Sequence, residues 1–207
     1  MTHEAVRDRY DELASSYDET ARKFGWSTPA MVGQELERLP ALAGDALVIG
    51  VGTGLDLDAV KAKASGSVLA LDIAPRMIEA ALDKHPDVRG ITTDFFAWDG
   101  PGSAFELIVC GGMLEFVRDF AGFFERAAEL LTPGGYLVVT HELLIEGHPD
   151  YGPKAGSPGG SCRRPTQDLL SAAGSSRLKL ARLRHFVAWT GVGAPVVYEM
   201  GVLRRRR

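Results

Sequence analysis

The chain is predicted to fold as an α/β protein, a Rossmann-like, doubly wound, mostly parallel sheet of seven strands. Three observations predict it. Ala46-Leu47-Val48-Ile49 is a short apolar run that ends in a glycine-rich turn, Gly50-Val51-Gly52-Thr53-Gly54. A second apolar run, Ser67-Val68-Leu69-Ala70-Leu71, ends in an acid, Asp72. Beyond it, apolar runs of strand length alternate with segments of helical periodicity, the pattern of strand–helix–strand units.

The elements follow in order. Val6 to Arg22 carries Tyr10, Leu13, Ala14 and Tyr17 among many charges, which predicts one or two short amphipathic helices. Thr28 to Leu39 predicts another, capped by Thr28, with Pro29 in its first turn and Pro40 just past its end. Strands are expected near 46–50, 67–71, 89–93, 105–110 and 136–141, and helices near 56–64, 75–83 and 119–131. Pro75 suits a first helical turn, and Gly134-Gly135 follows the last of these helices. Gly147 to Pro165 is dense in glycine and proline and nearly devoid of apolar residues. It is expected to be a long loop covering an active site at the carboxyl edge of the sheet. A helix near 166–173, with Gly174 as its cap, precedes two β-rich runs near 177–188 and 195–203.

At 207 residues the chain is expected to be one domain with a proper core. Its net charge of −4 argues against a nucleic-acid partner. The basic run Arg204 to Arg207 reads as a solvated tail. Cys110 and Cys162 do not imply a disulfide framework, so a reducing, cytoplasmic setting is expected. The polar N-terminus lacks the pattern of a secretory leader, and no apolar run reaches the ~20 residues of a membrane span.

The glycine spacing indicates the ligand. Dinucleotide sites use G-x-G-x-x-G/A, whose third small residue lets a helix pack under a pyrophosphate. Here the pattern is G-x-G-x-G, and Leu55 stands where that residue belongs. Asp56 and Asp58 follow, and would repel a pyrophosphate. A nucleoside cofactor without phosphate fits better, and Asp72 is placed to bind the hydroxyls of its ribose.

In these motifs the chain resembles the class I S-adenosylmethionine-dependent methyltransferases, over most of its length. Gly50, Gly52 and Gly54 match that family's glycine loop, Asp72 its ribose-binding acid, and Ile73 and Met77 positions near the adenine. Thr93-Asp94-Phe95 matches the acid and apolar pair after the third strand. Phe105 to Cys110 resembles the fourth strand, and Leu131 to Val139 the turn into the fifth. The resemblance implies a C-terminal antiparallel hairpin and an N-terminal helical lid. The chain would divide into the lid (1–40), a cofactor-binding core (41–145), an active-site loop (146–165), and a C-terminal helix and hairpin (166–207). The cofactor would be S-adenosyl-L-methionine, leaving S-adenosyl-L-homocysteine as product. Its implied contacts are Tyr17, Gly50, Val51, Gly52, Thr53, Gly54, Asp72, Ile73, Met77, Asp94, Phe95 and Cys110. One departure is visible: relatives usually carry Asp or Glu where this chain has Val48. That acid helps organise the methionine end of the cofactor.

Methyl transfer from a sulfonium needs mainly alignment, exclusion of water and sometimes a base. His141, at the end of the fifth strand, could be that base, since histidine titrates near working pH. Glu115, after the fourth strand, could bind an amine or take a proton. Tyr17 resembles a lid tyrosine that approaches the cofactor, in the repeated Tyr-Asp of Tyr10-Asp11 and Tyr17-Asp18. Tyr10, Glu142, His148 and Tyr151 are the candidate acceptor contacts. Trp26, Phe95, Phe96, Trp98, Phe116, Phe186 and Trp189 are expected mostly as packing, with some forming an aromatic wall. His3 and His85 read as surface residues, and no role is visible for His185. No metal-ligand spacing occurs.

The leading expectation is an enzyme that methylates an O, N or C atom of a small organic acceptor in bacterial secondary metabolism, acting as monomer or homodimer without membrane or nucleic acid. An alternative is an S-adenosylmethionine-binding protein that does not methylate, a cyclase-like protein or an auxiliary subunit. A nicotinamide oxidoreductase is disfavoured by Leu55 and the acids beside it.

Overall fold

Both faces of the central sheet are buried, and the strand sequences show it. The computed structural model describes residues 2–148, 162–191 and 194–207. The parallel strands are β1 (Asp45–Ile49), β2 (Val68–Asp72), β3 (Arg89–Thr92), β4 (Phe105–Gly111) and β5 (Leu131–Glu142). Strands β6 (Leu178–Trp189) and β7 (Val196–Arg205) complete a seven-stranded sheet of order β3-β2-β1-β4-β5-β7-β6. β7 runs antiparallel to both β5 and β6, which makes the expected hairpin. Order reverses beside β1, and the crevice at such a switch point is where open α/β sheets bind ligands.

Alternate residues of each strand enter different cores, as the period of two requires. Leu47, Ile49, Ile108, Cys110, Leu137 and Val139 join one cluster, with Phe123 and Phe124 of helix α6 (Phe120–Leu130) and Leu169 of α7 (Thr166–Ser175). Ala46, Val48, Leu107, Val109 and Val138 join the other. That cluster takes Val32 and Leu36 of α3 (Thr28–Glu37), Val60 of α4 (Leu57–Lys63) and Ile78 of α5 (Pro75–Lys84). Helix α3, expected within the lid segment, thus packs into the sheet's own core.

The N-terminal helices are α1 (His3–Leu13) and α2 (Tyr17–Lys23), joined by a 3-10 turn over Ala14–Ser16. Helix α1 buries no residue fully. A contact of Tyr10, Leu13 and Tyr17 with Ala14, Ala74 and Met77 attaches this pair to the core.

Three expectations are corrected. Thr28 is the first helical residue of α3, and Ser27 precedes it as cap without a side-chain capping bond. Ser27 instead donates from its N–H to Ala188 O (2.9 Å) and from Oγ to Val187 O (2.7 Å), tying the lid's end to β6. Gly174 lies within α7, which runs to Ser175. β5 begins at Leu131 rather than near 136, because Leu131 already pairs with Phe105 before the register shifts. Most of the glycine- and proline-rich segment, 149–161, lies outside the described residues.

Phe123 is fully buried in the larger aromatic cluster, 5.2 Å from the Phe95 ring and 5.6 Å from Phe124. Phe123→Ala is expected to lower unfolding free energy by about 3–5 kcal/mol in denaturant titration, through lost burial and a residual cavity. A loss below about 1 kcal/mol would show that this core is not packed as described.

Candidate active site

A cavity opens at the carboxyl ends of β1, β2 and β4, under the N-terminal helices. Its floor is the glycine loop after β1. The loop is pinned to β2, because Gly50 and Val51 both donate their N–H groups to Leu71 O, at 2.8 and 3.0 Å. Gly50 and Gly52 have positive φ, +67° and +54°, which a side chain would disfavour. A side-chain carbon on Gly52 would meet no protein atom within 4 Å. The space above Gly52 is therefore room for a ligand.

Asp72 ends β2 at one side of this space. Its Oδ2 accepts from Gly52 N at 2.8 Å and its Oδ1 from Ala74 N at 2.9 Å. Each oxygen retains acceptor capacity for a hydroxyl pair. Burial raises the Asp72 carboxyl above its ordinary range, against the lowering effect of the N–H groups of Ala74, Gly52 and Ile73. Ile73, Asp94, Phe95 and Phe96 continue the wall. Asp94 accepts from Phe96 N at 2.9 Å and faces the His3 ring from α1. His3 is exposed, as expected, and stands at the cavity's rim.

The other side is walled by Trp26, Pro29, Asp56, Gly111, Gly112 and Met113. Trp26 stacks on Trp189 with ring centroids 4.4 Å apart, joining the lid to β6. Asp56 is 8% exposed, and burial pushes its carboxyl up to about 6.

The roof is the repeated Tyr-Asp. The tyrosines face the cavity and the aspartates fasten it. Tyr10 packs edge-on against Phe116 at 5.8 Å and lies 6.3 Å from Tyr17. Burial raises both phenols, so both are neutral donors at working pH. Asp11 Oδ1 accepts from Arg76 N at 2.9 Å. Asp18 accepts from Thr53 Oγ1 at 2.5 Å and from Lys84 Nζ at 2.7 Å. Burial alone would raise the Asp18 carboxyl, but the hydrogen bonds from Lys84 and Thr53 hold it below its ordinary value.

Of the sequence candidates, Tyr10, Tyr17, Gly50, Val51, Gly52, Thr53, Asp72, Ile73, Asp94 and Phe95 line this cavity. Gly54, Met77 and Cys110 do not. Gly54 turns toward Leu57 and His85, and its carbonyl lies 3.2 Å from His85 Nε2. His85 is thus a buried support of the loop, not a surface residue. Met77 packs beneath, against Ala14 and Ala74. Cys110 points into the larger core, where burial pushes its thiol well up.

His141 is corrected as a base. Its Nε2 lies 3.1 Å from Glu199 Oε1 and its Nδ1 3.2 Å from Glu142 O. Both ring nitrogens are turned to acceptors, which leaves neither to take a proton from a substrate. Glu199 also receives Thr166 Oγ1 at 2.5 Å and His185 Nε2 at 2.8 Å, so His185 belongs to this internal network. Glu142 is bound by Arg163 at 2.7 Å and does not line the cavity. His148 does not line the cavity, and Tyr151 lies outside the described residues. Glu115 is buried and does not line the cavity either, although its neighbours Phe116 and Val117 do. Its Oε1 accepts from Tyr198 OH at 2.6 Å, its Oε2 has no hydrogen-bond partner among the described residues, and burial raises its carboxyl. Sequence reasoning assigned no binding role to Asp56. Trp26, Phe96 and Phe116 it placed only in a general aromatic set.

The donor set fits S-adenosylmethionine: a cradle over Gly52, an acid for a ribose, and buried carboxylates that suit a ligand with cationic groups. Residues 47–137 match the family model of the methyltransferase domain. The chain is 30% identical over 138 residues to the demethylmenaquinone methyltransferase of Tropheryma whipplei (strain Twist), covering 65% of this chain and 57% of that protein. It is 30% identical over 151 residues to the aklanonic acid methyltransferase of a Streptomyces (strain C5), covering 69% and 67% respectively. The chain belongs to the class I S-adenosylmethionine-dependent methyltransferases. A solved S-adenosylmethionine-dependent methyltransferase from Leishmania major shares the fold of this methyltransferase, with TM-score 0.79 at 16% identity, over 97% of this chain and 82% of that one.

Two outcomes are expected. Asp72→Ala removes the acceptor of two backbone N–H groups as well as the ribose contact. S-adenosylhomocysteine affinity should fall about tenfold or more by calorimetry; unchanged affinity would place the nucleoside elsewhere. Asp56 gives a pH dependence. The folded methyltransferase holds its proton up to about pH 6, whereas the unfolded chain releases it at the ordinary value of 3.8. The Asp56 contribution to ligand-free stability should therefore be fully present below that ordinary value and be lost as pH rises to about 6, by up to roughly 3 kcal/mol. Denaturation across this window, wild type against Asp56→Asn, isolates the contribution. Parallel curves would exclude it.

Proposed function

We propose that this methyltransferase transfers a methyl group to an O, N or C atom of a small organic acceptor, of the kind made in bacterial secondary metabolism. The observation that carries this reading is the enclosure of the cavity. Its acceptor side is closed by Tyr10, Tyr17, Phe116 and Val117 under the fastened N-terminal helices. Such a space suits a small, largely apolar molecule. The similarity to proteins named for demethylmenaquinone and aklanonic acid supports an acceptor of that type.

S-adenosylmethionine supplies a methyl group on a positively charged sulfur that leaves readily. The chain aligns the acceptor, excludes water and takes up a proton. Asp72, Gly52 and Ile73 hold the nucleoside; Tyr17 and Tyr10 roof the space and offer phenol hydrogens. Glu115, whose neighbours Phe116 and Val117 line the cavity, is the candidate to receive the acceptor's proton on Oε2, a buried oxygen without a hydrogen-bond partner among the described residues. Burial raises its carboxyl above the ordinary range, the direction that strengthens a carboxylate as a base.

The test is incubation of the chain with S-adenosylmethionine and a panel of quinols and polyketide acids, followed by mass spectrometry. The expected result is one added methyl per S-adenosylhomocysteine released. Glu115→Gln should then lower kcat about 10²-fold while leaving S-adenosylhomocysteine affinity unchanged. An acceptor rearranged without gaining a methyl would support the non-methylating alternative. An unchanged kcat would remove Glu115 from the proton transfer.

A further inference from the structure

A bulge in β6 turns two arginines onto the face of the sheet that α3 covers. Leu180 and Leu183 are an odd number of residues apart, yet both pack against the core of the other face. Strict alternation forbids that, and the register shift between Leu180 and Arg182 permits it. Arg182 and Arg184 then stand opposite Val202 and Met200, which share a core with Val32 and Leu36 of α3. There they meet Glu35 of the same helix, which is fully buried. Glu35 Oε1 accepts from Arg184 Nη1 at 2.7 Å and from Arg38 Nη1, and its Oε2 accepts from Arg182 Nη1.

One guanidinium would neutralise this carboxylate. Three surround it, and among the described residues Glu35 is the only acid paired with any of them. Burial alone would raise the Glu35 carboxyl, but the hydrogen bonds from Arg182 and Arg184 hold it below its ordinary value. It is therefore ionised, and the cluster carries an excess of two positive charges. The side chains of Arg38, Arg182 and Arg184 are 50%, 37% and 29% exposed, so a ligand can reach them from solvent. Each uses Nη1 alone toward Glu35, which leaves Nε and Nη2 as donors. Lys179 and Arg204, opposite one another on β6 and β7, add to the positive field.

We propose that Arg38, Arg182 and Arg184 form a binding site for a doubly charged phosphate group, with Glu35 beneath them as its organiser. The planar fork of a guanidinium matches two oxygens of a phosphate, which a point charge does not. The buried carboxylate fixes the three groups in advance and so removes an ordering cost from binding. Two excess charges match a phosphate dianion and exceed what a singly charged anion can neutralise. None of the four residues lines the methyl-transfer cavity, so the site is separate from it.

The experiment is calorimetric titration of wild type, Arg38→Gln and Arg184→Gln with inorganic phosphate at constant ionic strength and about pH 8, where phosphate is doubly charged. Acetate is the singly charged control. Each variant leaves two arginines on Glu35, and circular dichroism verifies that each is folded. Wild type should bind phosphate and not acetate. Each variant should weaken phosphate binding about tenfold or more and change S-adenosylhomocysteine affinity by less than about twofold. Sedimentation with phosphatidylcholine vesicles, with and without phosphatidic acid, distinguishes the sources. Co-sedimentation that needs phosphatidic acid and is lost in the variants assigns a lipid headgroup. Phosphate binding without co-sedimentation assigns a soluble phosphate ester. Absence of binding in both assays, or an equal response to acetate, would overturn the proposal, because the arginines would then only tie α3 to β6. Phosphate affinity unchanged in both variants would overturn it by placing the anion elsewhere.

Discussion

The hydrogen bonds of the Asp72 carboxylate hold the active site together. One oxygen takes Gly52 N and the other Ala74 N. The first bond fixes the glycine loop, and the second fixes the entry into α5. Two successive crossovers, whose helices α4 and α5 pack on the same face of the sheet, are thereby set by one side chain at the end of β2. The same carboxylate is oriented toward the empty space above Gly52. Preorganisation of this kind removes ordering costs from the binding step. Burial of the acid is tolerated because N–H groups surround it.

The lid shows a second division of labour. In Tyr10-Asp11 and Tyr17-Asp18, the aspartates reach Arg76 N, Thr53 and Lys84, and the tyrosines cover the cavity. Adjacent residues on a helix point in different directions, so one dipeptide can both attach and enclose. Farther along, the Trp26–Trp189 stack and the Ser27 contacts bind the end of the lid to β6. The hairpin strand farthest from the glycine loop in sheet order thus shapes the site through an aromatic pair.

Much of this was readable from the sequence. A sheet buried on both faces writes its strands as continuous apolar runs, and Ala46–Ile49 and Leu107–Cys110 are such runs. Glycine spacing and a terminal acid identify a nucleoside loop because few residues satisfy those backbone demands. The failures have physical causes. Met77 and Cys110 lie within a few residues of cavity wall positions, but the helical and strand periods turn them into the core. His141 has a position suited to a base, yet its ring is committed to Glu199, a partner 58 residues away that no local pattern reveals. Trp26 and Asp56 sit where no periodicity acts. Their places depend on how α3 and α4 pack against the end of β4, and packing of that kind is settled only in three dimensions.

Helix α1 roofs the cavity with residues that are at most partly buried. Segments that bury little open locally at small free energy while the rest of the domain stays folded. Lifting this helix breaks the Asp11 contact and the His3–Asp94 contact, and the 3-10 turn can bend behind it. Opening the opposite wall would instead tear sheet hydrogen bonds between β1, β2 and β4. The cavity is therefore opened at least cost by displacing α1, through contacts at the edge of the domain, while the hydrogen bonds at its centre stay intact.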